Sequence, residues 1–305
     1  MFSSTSLRLV RSLSAVLLMS SAALAGCANE EESVPSPSPS TPKRALFVVS
    51  NIEKIPAPGG GERSSGVWFS EVVHPYWTLQ DSTGPQFQIT LASPDGGRAA
   101  IDGFSVKLNL EDYMMSGGKV YDSGDPDNER FLTSQDTREL LEIEDVTTGD
   151  GAMTKRYAFK DTLRLGDVNT ADYDVVFYAG GNAAPFQFVD DAAVRRVATE
   201  MYDDGKLVTA VCHGTAALLD VEQPNQKKLV EGRKVTGFST AEEDALGQRE
   251  VMPVLLEQAF AERGAIYSAG AAFTEHVIED GRLITGQNPP SGRGVGEAIV
   301  RYFSR

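Results

Sequence analysis

Cysteine is almost missing: the 305 residues contain two, Cys27 and Cys212. So few thiols exclude a disulfide-stapled scaffold. Histidine is nearly as scarce, and His74, His213 and His276 are too scattered to suggest a zinc set, so no metal is expected. Basic charge is also short, with 28 Lys and Arg against 43 Asp and Glu and a formal net charge of −15. That balance argues against nucleic acid or an anionic lipid surface as a partner. Beyond residue 30, no stretch is long and apolar enough to cross a bilayer, so the chain from Arg44 to Arg305 reads as one soluble domain with room for a full core.

The ends carry a different signal. Arg8 and Arg11 are the only charges before Leu13–Leu24, an apolar run too short to span a membrane comfortably. This pattern is that of a signal peptide, residues 1–27, and is set aside from the fold. Leu24-Ala25-Gly26-Cys27 resembles the bacterial lipobox, in which Cys27 would be diacylated and become the mature N-terminus. Residues 28–43 hold three successive glutamates and then a Pro/Ser run, a composition that favours extended polyproline conformations and cannot build a core. As a disordered linker it would reach about 50 Å. The expected location is the cell envelope, with the domain outside the cytoplasm, periplasmic in a double-membraned cell, and lipid as the anchor. Cys212 is then the single free thiol, a liability in an oxidising compartment unless it is buried or used.

Short apolar runs alternate with helical periodicity. Arg44–Ser50, Phe87–Ser93, Asp174–Ala179, Lys206–Val211 and Lys234–Phe238 suit buried strands, with shorter β segments at Ala265–Ala269 and Arg282–Thr285. Gly66–Leu79, Asp190–Asp203, Glu250–Arg263 and Gly294–Phe303 suit helices, and another begins at Thr215. Such alternation predicts an α/β fold with a mostly parallel sheet covered on both faces, its reactive groups gathered at the carboxyl ends of the strands. Residues 109–170 are broken by Gly117-Gly118, Ser123-Gly124-Asp125-Pro126 and Gly149-Asp150-Gly151 and read as an insertion or lid.

Ala210-Val211-Cys212-His213-Gly214 closes the Lys206–Val211 strand and opens the next helix. Its small-x-nucleophile-x-Gly spacing is that of a nucleophile elbow, where small neighbours permit a sharp turn. Amides at the start of the helix would stabilise a thiolate and lower its pKa. A buried structural cysteine would also satisfy composition, but the elbow spacing and adjacent His213 favour the reactive reading. Glu71 falls four residues after Val67 and three after Trp68, within the apolar stripe of its helix. Its carboxyl should have a raised pKa and could donate a hydrogen bond to sulfur, although a glutamate merely bordering the core would show the same spacing. His74 precedes Pro75 and is expected at the helix end. His276, among acidic residues, is expected at the surface.

Ser65–Tyr76, Ala179-Gly180-Gly181, Ala210–Gly214, Val235–Phe238 and Leu283–Pro289, in that order, resemble the ThiJ/PfpI superfamily of the class I glutamine amidotransferase-like group, and within it the glyoxalase III branch. The resemblance implies a flavodoxin-like three-layer sandwich, usually dimeric, with no cofactor. It matches Cys212 to the family's nucleophile, His213 to the histidine that follows it and Glu71 to the glutamate at the sulfur. The acidic triad member is implied to be Glu242 or Glu243, with Glu243 preferred. An oxyanion site is implied at Gly180, Gly181 and the amide of His213. The chain departs from the pattern where Gly180-Gly181-Asn182-Ala183 replaces the usual Gly-Gly-His-Gly, and residues 109–170 have no obvious counterpart.

The function so implied is cofactor-independent conversion of a 2-oxoaldehyde such as methylglyoxal to a 2-hydroxy acid, with a small carbonyl compound as substrate. An amidase or peptidase using the same thiol, and a non-catalytic holdase lipoprotein, are the competing expectations.

Overall fold

The computed structural model describes residues 41–107, 125–147 and 153–305. The signal segment, Cys27 and the linker as far as Ser40 lie outside the described residues, as does the part of the expected lid at 108–124 and 148–152. Among the described residues the strands are β1 (Lys43–Val48), β2 (Lys54–Pro56), β3 (Glu62–Ser64), β4 (Phe87–Ser93), β5 (Gly97–Ile101), β6 (Leu141–Thr147), β7 (Met153–Arg164), β8 (Val175–Tyr178), β9 (Leu207–Val211), β10 (Lys234–Val235), β11 (Ile266–Tyr267), β12 (Val277–Asp280) and β13 (Leu283–Gly286).

Nine of these form one sheet in the order β12-β13-β9-β8-β1-β4-β7-β5, with β6 paired to β7. From β13 across to β7 every neighbouring pair is parallel. Antiparallel pairing is confined to the ends, β12 on β13 and both β5 and β6 on β7. Ala45–Val48 and all of β8, β9 and β13 are buried, so these strands have no wet face and are covered on both sides. The three-layer α/β plan expected from the alternating pattern is the one observed.

Five helices matter for the site: α1 (Ser70–Gln80), α2 (Ala192–Asp203), α3 (Thr240–Ala245), α4 (Leu256–Glu262) and α5 (Ser291–Phe303). Asp191 caps α2 by accepting from the amides of Ala193 and Val194, and Val194, Val197, Ala198 and Met201 form its buried stripe. α5 packs closely on α1 because Gly296 lacks a side chain; a Cβ there would lie 3.0 Å from the Cα of Pro75.

Several boundaries differ from the sequence expectation. Gly66–Phe69 is not helical: the Val67 amide donates to the Ala100 carbonyl and the Asp102 amide to that of Val67, which stitches this stretch to the end of β5. α1 then runs through Pro75 rather than ending at His74. The ring has no N–H, so the Glu71 carbonyl loses its donor four residues on while the helix continues. α4 begins only at Leu256, past Pro253, and the segment after Cys212 is a 3₁₀ helix, Cys212–Leu218.

The described part of 109–170 is not set apart from the sheet. β6 and β7 form a hairpin, and Ala92 and Ser93 pair in parallel with Leu163 and Arg164, making this region the sheet's edge.

Candidate active site

The chain reverses abruptly at the end of β9. Cys212 sits at φ 55°, a left-handed conformation that costs a side chain about 1–3 kcal/mol. The turn is possible because Gly214 is bare: a Cβ there would lie 2.4 Å from the Tyr178 carbonyl oxygen and 2.7 Å from that of Ala179. Consecutive side chains on a strand point apart. Here the turn lets two of them meet, with Cys212 Sγ 3.5 Å from His213 Nδ1.

His213 Nε2 is 2.8 Å from Glu243 Oε1. Cys212, His213 and Glu243 are all no more than 2% exposed. A carboxylate can only accept, so Nε2 carries the hydrogen and Nδ1 presents a lone pair to the sulfur. Phe238 lies against the imidazole with ring centroids 4.3 Å apart, which fixes the ring plane.

Glu243 reaches this position because it lies in the first turn of α3, capped by Ser239. The other candidate acid, Glu242, faces away from the histidine. It accepts from the Ser239 amide and hydroxyl, from Gln287 Nε2, Asn288 Nδ2 and the Phe273 amide. Adjacent glutamates thus divide two tasks, one orienting the histidine and one tying the β13 loop to α3. Phe273, held in that way at φ 57°, lines the cavity.

Glu71 is fully buried beneath the thiol. Burial is the main reason its pKa is pushed up to about 8, partly offset by the Cys212 side chain and the Gly180 amide. A Cβ on Gly180 would fall 2.4 Å from Glu71 Oε2 and 2.9 Å from Cys212 Cβ, so only glycine leaves room for the carboxyl beside the nucleophile. Neither carboxyl oxygen forms a well-directed hydrogen bond with a described residue. The neighbouring thiol and amide are close without being ideally aligned, and the carboxyl is protonated at neutral pH.

Burial also pushes the Cys212 thiol well above its ordinary value, Glu71 adds to the rise, and the His213 amide opposes it. This reverses the expectation of a thiol acidified by the helix after it. The 3₁₀ segment is too short and irregular to offset desolvation of a fully buried sulfur, and Glu71 and Cys212 cannot both hold charge there. The resting thiol is neutral, and its proton leaves toward His213 when bond formation begins.

Gly180 also takes a place different from the expected oxyanion donor. Its amide faces Glu71 and its carbonyl accepts from the Trp68 amide. Gly181, at φ 105°, packs against Gly66 and Trp68 and borders the cavity with His213. The amides left to meet an oxyanion are those of Gly181 and His213.

The thiol opens into a cavity of about 400 Å³. Its outer wall comes from residues that sequence reasoning passed over: Pro58 and Arg63 around the β2–β3 hairpin, Asp102 and Phe104 after β5, and Gln248 after α3. Burial lifts Asp102 to about 6, opposed by the Phe104 amide and the Arg63 charge. No described residue of 125–147 or 153–170 borders it. Among the described residues, the cover expected from the 109–170 region is thus supplied by β2–β3 and the β5 loop.

The other histidines stand elsewhere. His74 Nε2 is 2.8 Å from Asp125 Oδ2, and His276 Nε2 is 3.1 Å from Ser268 Oγ. His74, Asp125 and Asp127 lie close enough to share a cation. Their acids already have partners: Asp125 accepts from the amides of Asp127 and Asn128, and Asp127 pairs with Arg293.

A doubly covered parallel sheet with a thiol, an imidazole and two buried carboxyls at the end of a central strand defines an α/β protein built around a cysteine nucleophile. The DJ-1/PfpI family profile matches residues 142–302, slightly more than half the chain, and the chain belongs to that family. Glyoxalase 3 of Candida albicans is 31% identical over 152 residues, 48% of this chain and 64% of the relative. A glutathione-independent glyoxalase of Schizosaccharomyces pombe is 28% identical over 269 residues, 85% of this chain and 96% of the relative. The crystal structure of glyoxalase III from Candida albicans superposes with a TM-score of 0.67 at 25% identity, covering 85% of this chain and 96% of that one.

Proposed function

We propose that the protein is a glutathione-independent glyoxalase that converts a 2-oxoaldehyde, with methylglyoxal as the simplest case, to a 2-hydroxy acid. The observation that carries this is the buried line from Cys212 Sγ through His213 to Glu243 at the end of the cavity. The relatives' names point to the same reaction.

The chemistry follows from the geometry. The sulfur attacks the aldehyde carbon C1, forming the Sγ–C1 bond, while the thiol proton passes through His213 Nδ1 to the aldehyde oxygen O1. The transient imidazolium is stabilised by Glu243, and charge on O1 by the Gly181 and His213 amides. Next, Nδ1 removes the C1 hydrogen, producing an enediolate whose charge lies on the ketone oxygen O2. The same proton returns to C2 and the O1 proton passes to O2, leaving a thioester beside a secondary alcohol. Water then attacks the thioester; its hydroxyl stays on carbon and its proton restores the thiol. Glu71, protonated, supports whichever sulfur species is present without placing a second charge beside it.

Cys212→Ser, assayed as methylglyoxal loss without glutathione, tests the reading. Turnover should disappear, and undiminished turnover would refute it. Amide or peptide hydrolysis by the same thiol would show instead as activity on those substrates alone.

The sequence motifs before Arg44 support a further proposal, that residues 1–27 are a lipoprotein signal and that lipid on Cys27 anchors the 44–305 domain outside the cytoplasm. Cys27→Ser should then move the protein from the membrane to the soluble fraction. A homodimer is proposed from the family resemblance, and light scattering at the monomer mass would refute it.

A further inference from the structure

Asn182 stands where the resembled family usually has histidine, and it lies at the inner end of a chain of side chains whose directions are fixed from the outside. Arg63 can only donate, and its Nη2 is 2.8 Å from Gln248 Oε1. The oxygen of Gln248 must therefore face the guanidinium, which turns Gln248 Nε2 toward Asn182 Oδ1, 3.0 Å away. With its oxygen so engaged, Asn182 has its Nδ2 directed away from Gln248, and no described residue accepts from it. Asn182 and Gln248 are 8% and 3% exposed, and Asn182 borders the same cavity as Cys212 and His213.

We infer that Asn182 is a catalytic residue whose Nδ2–H donates to the second oxygen of the 2-oxoaldehyde, and that Gln248 and Arg63 are positioning residues that keep this donor turned inward. The inference rests on the glyoxalase reading. In that reaction O1 is met by backbone amides near the sulfur, while charge collects on O2, one carbon further away, when the C1 proton leaves. Asn182 follows Gly181 and borders the same cavity, so its side-chain amide offers a donor separate from the backbone amides at the sulfur. A neutral amide at this place stabilises the enediolate without competing with His213 for the migrating proton, which an imidazole there would do.

The test compares wild type, Asn182→Ala and Gln248→Glu in two assays: methylglyoxal turnover without glutathione, and the rate at which iodoacetamide alkylates Cys212. Removing one preorganised donor to a developing oxyanion lowers turnover about 10²-fold, so Asn182→Ala should lose roughly that factor in kcat with little change in KM. Gln248→Glu leaves the cavity's inner wall untouched but offers Asn182 an acceptor, turning its amide so that Oδ1 faces inward. It should cause a comparable loss in kcat. Alkylation, which passes through no enediolate, should stay within threefold of wild type in both variants. Turnover within threefold of wild type in both variants would overturn the inference while leaving the glyoxalase reading intact. A parallel fall in turnover and alkylation would overturn it too, as the mark of a collapsed pocket. A wild-type protein without glyoxalase turnover would sink the underlying reading. Should Asn182→Ala fail to fold, Gln248→Glu carries the decision alone.

Discussion

Replacing Glu243 with glutamine isolates the charge behind His213 while keeping its shape. The carboxylate and imidazole are 2.8 Å apart and nearly inaccessible, so the positive charge that His213 acquires in each proton transfer has one close counter-charge. Two unit charges about 4 Å apart at an effective dielectric near 20 attract by about 4 kcal/mol. The glutamine oxygen still accepts from Nε2, and a neutral hydrogen bond retains roughly half the strength of a charge-assisted one. The net loss in the transition state is about 2–4 kcal/mol, or about 30- to 1,000-fold in kcat. KM should move little, since the substitution acts on charge that forms only during proton transfer. Glu243 Oε2 already lacks a partner among the described residues, so the amide inherits an unpartnered site and thermal stability should change little. Methylglyoxal turnover under saturating substrate, with melting temperature as control, reads the effect. A kcat within threefold of wild type in a normally folded Glu243→Gln protein would refute the claim that His213 becomes charged against this carboxylate.

Other substitutions test the surroundings. With its pKa raised from 4.5 to about 8, Glu71 retains in the native state a proton that the unfolded chain releases, so its contribution to stability falls as pH rises from about 4.5 to 8 and then levels. Glu71→Gln should remove that slope, gaining up to about 3 kcal/mol over wild type at pH 7; parallel melting curves from pH 5 to 8 would contradict the assignment. Gly180→Ala drives a methyl into Glu71 and Cys212 and should abolish alkylation of the thiol along with turnover, an expectation that normal iodoacetamide kinetics would defeat. Glu242→Gln keeps one accepting oxygen but sets its NH2 against either the two donors at Oε1 or the three at Oε2, and should cost about 2–4 kcal/mol in urea unfolding. A midpoint unchanged from wild type would show that these groups re-pair easily.

The parallel core was legible because β1, β8, β9 and β13 are buried on both faces and read as short apolar runs. The elbow was legible because Ala210, Cys212 and Gly214 are a spacing with a steric meaning. What escaped detection depends on distant partners. β6 is a half-exposed edge strand, and β7, which pairs with β4, β5 and β6, has its alternation diluted by glycine and charge nearby. The start of α1 differs because Gly66–Phe69 has helical spacing, yet the close approach of Gly66 to Ala100 and Asp102 lets Val67 bridge to Ile101 instead. Glu242 and Glu243 are chemically identical in sequence, and only the capping geometry of α3 tells which one reaches the histidine. Arg63 and Gln248 are 185 positions apart and carry no local signal of their meeting. Nor could composition reveal the sign of the thiol's pKa shift, which follows from complete burial beside a second acid.

The left-handed backbone at Cys212 has a consequence for how the protein would fail. An elbow held in an unfavourable conformation persists only while Gly214, Tyr178 and Ala179 press against it, so the first thing that slight loosening releases is the aim of the sulfur, well before the sheet comes apart. Warming should therefore silence the site some degrees below the temperature at which the core melts, and activity, rather than any measure of the fold, becomes the finer gauge of damage to this molecule.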